Sequence, residues 1–348
     1  MSVEAAQAQP FQPVLRAKRQ GLRIAAAVAV GFTVAVVNGG ILPFLAPMFA
    51  AQFLVASPRP LGAKQAIGTI GLILVAGEAL VWLTGLFGDR PAVLLTLLGL
   101  IYFACFLLQA QGKGGAAAFL IIVIAVMVPM LGILQKDLGE SIILILFKGA
   151  LGGVILTWLA HAVFPDPGGD DPAPAVAAGV DRAVRRALAN TAILLAMVVL
   201  CLVDSRFSTA IVVPITVASL LIQLDLAVSG RAAFGLMIVN LLGGVVASLA
   251  FAFVELRPTL PFLFLIVLVV GLLFGGRAAA DPKAGKVYAG ALTTFLILFG
   301  LGVSPLPAST PDSFATRIGL VLFAIVCTFC LTALLWPAPS AQREKPGR

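Results

Sequence analysis

Charge is what this chain has least of. Asp, Glu, Lys and Arg together make up 11% of its 348 residues, against roughly a quarter in a soluble domain. Histidine occurs once, tyrosine twice and tryptophan three times. With so few ligating and catalytic side chains, no metal cluster, no phosphate-cradling glycine loop and no nucleophile beside a base can be assembled. Enzyme chemistry, a metal or other cofactor, and ATP hydrolysis by the chain itself are therefore not expected. The net charge of +8 does not mark a nucleic-acid surface, because the stacking aromatics that such a face needs are missing. The four cysteines, Cys105, Cys201, Cys327 and Cys330, all lie in apolar runs. Cys327 and Cys330 have the spacing of a redox pair but lack its strand-helix-strand context, and read as packing residues.

Apolar residues are what the chain has in excess. They make up 61% of it, and the mean hydropathy is +1.10, so its main solvent is lipid. Apolar runs between charged or Gly/Pro breaks predict an all-α polytopic membrane protein of twelve helices. These are about 22–37, 41–56, 66–87, 91–109, 116–134, 141–164, 187–203, 208–223, 232–254, 259–275, 286–303 and 314–336. The basic stretch before the first run leads through Asn38-Gly39-Gly40 into another apolar segment, which argues against a cleaved signal peptide. With the N-terminus in the cytoplasm, 17 of the 23 Lys and Arg fall on the inner side, and only Arg90, Lys136, Arg206 and Arg257 fall in outer loops. The positive-inside rule then puts both termini in the cytoplasm, and the expected location is a bacterial inner membrane.

The chain also repeats itself. Pro47 and Pro214, Lys64 and Arg231, Gly68 and Gly235, and the dipeptides Arg90-Pro91 and Arg257-Pro258 all stand 167 positions apart. Beyond the fourth helix of each half the spacing becomes 172, pairing Pro165 with Pro337. Six helices per half make the repeat parallel, as in transporters whose halves rock about a site between them. The expected organisation is a tail over 1–21, a six-helix membrane repeat over 22–164, a linker over 165–186, a second repeat over 187–337 and a tail over 338–348.

Short or Pro-interrupted spans at matching positions point to a transport site. Segments 41–56 and 208–223 fit, since sixteen helical residues reach about 24 Å, short of a hydrocarbon core of roughly 30 Å. Proline frees a backbone carbonyl at depth, so Pro47, Gln52, Thr209, Pro214, Thr216 and Gln223 are candidates to line or shape a substrate path. Glu78 and Lys148 are ionisable residues inside predicted spans at similar depth, where charge is costly and usually functional. One reading is an ion pair that only holds helices together. The other makes Glu78 a proton acceptor that couples transport, with Lys148 attracting an anionic substrate. The repeat places Val245 opposite Glu78 and Leu320 opposite Lys148, so one half carries the charge. Arg90 and Arg257 read as helix starts that can also draw anions to an outer mouth. His161, beside Trp158, reads as a structural interfacial residue, and the spacings Gly149 to Gly153 and Gly271 to Gly275 read as close helix contacts.

The run PMFAAQFLVASPRPLGAKQAIGTIG, Pro47 to Gly71, resembles the fusaric acid resistance and aromatic acid exporter superfamily. There a Pro- or Trp-bearing second span precedes a basic loop and a Gly-Thr start to the third span. Lys64, Gly68, Thr69 and Gly71 occupy that pattern, and Arg231 and Gly235 repeat part of it. The likeness is strongest to a compact bacterial branch with a domain of unknown function (DUF2955-like), and the six-plus-six arrangement extends it over nearly the whole chain. It implies export of small organic acids, aromatic ones among them, or of amphipathic drugs, often beside a periplasmic adaptor of the membrane-fusion type; with no ATP site in the chain, the expected drive is the proton motive force. Larger members carry a cytosolic domain between the halves where this chain has only its linker, so no activity of that domain is implied. Two rival readings are a passive anion channel and a non-transporting scaffold or assembly subunit. A homo-oligomer is compatible with all three.

Overall fold

The computed structural model describes residues 11–112, 115–134, 139–167, 180–203, 212–225, 230–281, 285–304 and 311–335. Among them are twelve helices and no strand. The first six are α1 (Phe11–Val37), α2 (Leu45–Ala56), α3 (Ala63–Phe87), α4 (Pro91–Ala110), α5 (Gly115–Leu134) and α6 (Gly139–Val163). They are followed by α7 (Val180–Val203), α8 (Val212–Asp225), α9 (Gly230–Leu256), α10 (Leu260–Ala280), α11 (Gly285–Val303) and α12 (Pro311–Leu335). Seven of these, α1, α3, α4, α6, α7, α9 and α10, are long and apolar enough to cross a bilayer. The chain is a multi-pass membrane protein.

The ends of the helices follow from local chemistry. After α1, Gly39 takes φ 64°, a conformation that suits glycine, and the Gly39 and Gly40 N–H groups donate to the carbonyls of Val36 and Ala35. Pro91 opens α4, where its missing N–H has no helical acceptor to lose. The second Arg-Pro behaves differently. Arg257 and Pro258 lie in the break between α9 and α10, and Pro261 takes the first turn instead. Both α1 and α7 begin earlier than the apolar runs do, because their charged ends also wind into helix. Arg16 pairs with Asp166 at 3.2 Å, and Arg19 donates to the carbonyl of Pro165 at 3.0 Å.

In lipid, small residues rather than large apolar ones let helices approach. A Cβ at Gly153 of α6 would come within 2.7 Å of Phe49 Cβ on α2, and one at Gly271 of α10 within 2.9 Å of Ala25 Cα on α1. The expected Gly149 to Gly153 and Gly271 to Gly275 contacts are thus formed, the second across a π-helical turn of α10 at Gly271–Gly275. Helix α2 packs on α1 and α6, α3 on α5 and α6, and α4 on α5; α8 packs on α7 and α12, α9 on α11 and α12, and α10 on α11. Across the middle of the chain, α1 meets α10, α4 meets α7, α2 meets α11 and α5 meets α8.

Candidate functional site

The bundle centre is built by the four helices with least contact to the outside. Every residue of α8 from Val213 to Ile222 is buried, as is every residue of α11 from Ala289 to Gly302. From Ala118 to Leu131 of α5 only Ile121 is partly exposed, and from Leu45 to Leu54 of α2 only Ala46 and Gln52 are. At 12 and 14 residues, α2 and α8 reach about 18 and 21 Å, too short to cross the hydrocarbon.

The polar groups at this centre are few. Gln52 Nε2 on α2 donates to Thr293 Oγ1 on α11 at 2.9 Å, and Thr293 Oγ1 donates in turn to the Ala289 carbonyl. Next to it, Thr294 Oγ1 donates to Asn240 Oδ1 on α9 at 2.7 Å. Thr216 of α8 is buried and its hydroxyl has no hydrogen-bond partner among the described residues, a costly condition in an apolar interior. At one end, Ser304 donates to the Ile41 carbonyl at 2.6 Å. Phe295 stacks on Phe299 with centroids 5.2 Å apart, and Phe299 meets Phe32 at the same separation. Hydroxyl and amide donors among aromatic rings can hold a carboxylate attached to an apolar body. Two cavities lie away from this centre, one of about 680 Å³ between α1 and α10 beside Lys18 and one of about 450 Å³ between α3, α5 and α6 beside Thr84 and Asp89.

Several residues singled out by the sequence fall elsewhere. Pro47 and Pro214 each stand third in their helices, where an N–H has no intrahelical acceptor. They begin α2 and α8 rather than break them, so the carbonyl expected to be freed at depth is not freed there. It is freed at Pro129 in α5, where Tyr102 of α4 donates to the orphaned Ala125 carbonyl at 3.0 Å. Glu78 and Lys148 are both exposed on the outside of the chain. They do not form the anticipated ion pair; Glu78 Oε1 instead accepts a hydrogen bond from Trp82 Nε1 at 2.9 Å. Arg90 and Arg257 are exposed between helices. Thr209 lies outside the described residues, and of Gln223 only its place near the end of α8 is described.

Residues 20–160 match the model of a family described as a protein of unknown function, DUF2955. That stretch runs from α1 into α6 and includes Gln52, Glu78 and Lys148. No curated protein and no solved structure matches the chain.

Sequence reasoning passed over Asn240, Thr293 and Thr294, although polar residues inside apolar runs were a usable signal. It also passed over Arg23, counted only among the basic residues at one membrane face. Arg23 is fully buried; its Nε donates to the Phe164 carbonyl at 2.6 Å and its Nη1 to the Pro58 carbonyl at 3.0 Å. His161 joins the same cluster, its ring nitrogens 2.8 Å from the Thr157 carbonyl and 3.2 Å from that of Pro58. Trp158 donates to the Leu61 carbonyl. The cluster ties the start of α1, the 57–62 loop and the end of α6 together, a structural role.

Proposed function

We propose that the chain is a proton-driven exporter of small organic anions, aromatic acids among them, or of amphipathic drugs, with its path between two parallel six-helix repeats. The observation that carries this reading is the Gln52–Thr293 hydrogen bond, because it joins α2 of the first half to α11 of the second at the buried centre. The helix neighbours support the repeat. Adding six to each helix number turns the pairs α1–α2, α2–α6, α3–α5, α3–α6 and α4–α5 into α7–α8, α8–α12, α9–α11, α9–α12 and α10–α11, all of them in contact. The pairs between halves exchange likewise, α1–α10 with α7–α4 and α2–α11 with α8–α5. Such a pattern is what a pseudo-two-fold axis along the membrane normal, with α2, α5, α8 and α11 around it, would produce.

In this scheme the halves rock, the Gln52–Thr293 bond opens, and the substrate carboxylate accepts hydrogen bonds from Thr216 and Gln52 in its place. Glu78 is the acid at membrane depth on α3, and its protonation is the proposed coupling step. The location is a bacterial inner membrane with both termini in the cytoplasm, supported by the basic residues at the N-terminal end of α1. Likeness of the Pro47 to Gly71 run to the fusaric acid resistance and aromatic acid exporter superfamily supports the substrate class, and that run lies within the family-matched stretch. The test is uptake of a panel of aromatic acids into inverted vesicles under an imposed pH gradient. Accumulation against the substrate gradient, lost in Gln52→Leu and uncoupled in Glu78→Gln, is expected. Movement that only follows the substrate gradient would favour an anion channel, and no movement would favour a scaffold.

A further inference from the structure

Glu78 and Lys148 stand exposed on the outside of adjoining apolar helices, and on a face turned to lipid a charged side chain is most costly. They stand at one level. Gly77, beside Glu78, faces Leu146, two residues before Lys148, closely enough that a Cβ there would lie 3.1 Å from Leu146 Cδ1. Each is nine residues from the nearer end of its helix, Phe87 for Glu78 and Gly139 for Lys148, about 14 Å at the helical rise. A glutamate side chain does not span that depth. The described part of the chain offers Lys148 no acidic partner, and it offers Glu78 only the indole of Trp82, itself 65% exposed. Of the seven spans, α3 has the least buried apolar stretch, 22% of eighteen residues.

We propose that this α3–α6 face is a two-fold interface with a second copy of the chain, in which Glu78 of each copy, while ionised, pairs with Lys148 of the other and is released from that pair when it takes up a proton. A two-fold interface brings the same patch together twice and must complement itself; an exposed acid and an exposed base at one level of adjoining helices can do so. Trp82 supplies apolar area at its centre and keeps the Glu78 carboxylate hydrogen-bonded. The charges occur once per chain. Positions 245 and 320, which the repeat places opposite them, hold valine and leucine, and Val245 is exposed to lipid. The second half therefore has no equivalent patch, and the association closes at two copies instead of running on.

The test requires no transport assay, so it stands apart from the proposed function. Glu78→Cys on one tagged copy and Lys148→Cys on a differently tagged copy are co-expressed, both lacking the native cysteines, and the membranes are oxidised. A disulfide-linked product carrying both tags is expected. A photo-reactive residue at position 82 of the otherwise native chain should yield a band at twice the chain mass. In detergent, Glu78→Lys or Lys148→Glu alone should lower the dimer fraction by roughly ten-fold or more, and the two together should restore it. Cross-links only to another polypeptide, no cross-link from either probe, or a charge swap that fails to restore the dimer would overturn the proposal.

Discussion

A proline in α5 decides what Tyr102 does in α4. Pro129 has no N–H for the Ala125 carbonyl, and in a lipid-solvated bundle that carbonyl must find another donor; the buried Tyr102 hydroxyl supplies it. Tyr102→Phe should therefore lower stability by about 1–3 kcal/mol, read as earlier thermal unfolding in detergent. Adding Pro129→Ala, which returns the N–H, should recover part of the loss. Arg23→Lys is a second test at this scale: an ammonium cannot reproduce the guanidinium fork that reaches both Phe164 and Pro58. It should cost about 1–3 kcal/mol by the same measure. Which residues were polar at depth was legible in the sequence; which way they point was not. Hydropathy does not separate a lipid face from a helix contact, since both are apolar. Around Glu78 the side facing α6 is marked by Gly77, whereas Val75, Trp82 and Leu86 are exposed with Glu78. The size of its neighbours, not their apolarity, carried the information.

At the scale of elements, the helices themselves were the most legible part, because each is an apolar run closed by a glycine, a proline or charge. The short α2 and α8 were anticipated; that they are the most buried helices, with α5 and α11, was not. Their prolines were misread. The sequence places Pro47 and Pro214 inside apolar runs, but the helices start only two residues before each, so first-turn chemistry applies and not that of a kink. Helix starts at charged residues were missed for a related reason. Arg16 and Arg19 wind into α1 because Asp166 and the Pro165 carbonyl satisfy them from 150 and 146 positions away, partners that no local window contains. Close packing supplies the test here. Gly153→Leu forces a side chain into the space occupied by Phe49, and should destabilise the α2–α6 pair by about 1–3 kcal/mol, measured as loss of folded protein on heating in detergent. Gly68→Leu, where a Cβ meets nothing within 4 Å, is the matched control and should have little effect.

At the scale of the whole molecule, the proposed duplication places two sets of neighbours around one centre, and the polar groups of that centre come from both halves. The partner of Gln52 was not legible in advance, because Thr293 lies 241 positions away and the repeat offers no matching pair. In the proposed scheme, transport through this centre requires α2 and α11 to separate. The most direct measurement is therefore pH-gradient-driven uptake of aromatic acids into inverted vesicles by a Gln52→Cys/Thr293→Cys chain that has lost its native cysteines. The expected result is uptake in reductant, arrest once oxidation locks α2 to α11, and recovery on reduction. Undiminished uptake with the disulfide formed would contradict a path between the halves.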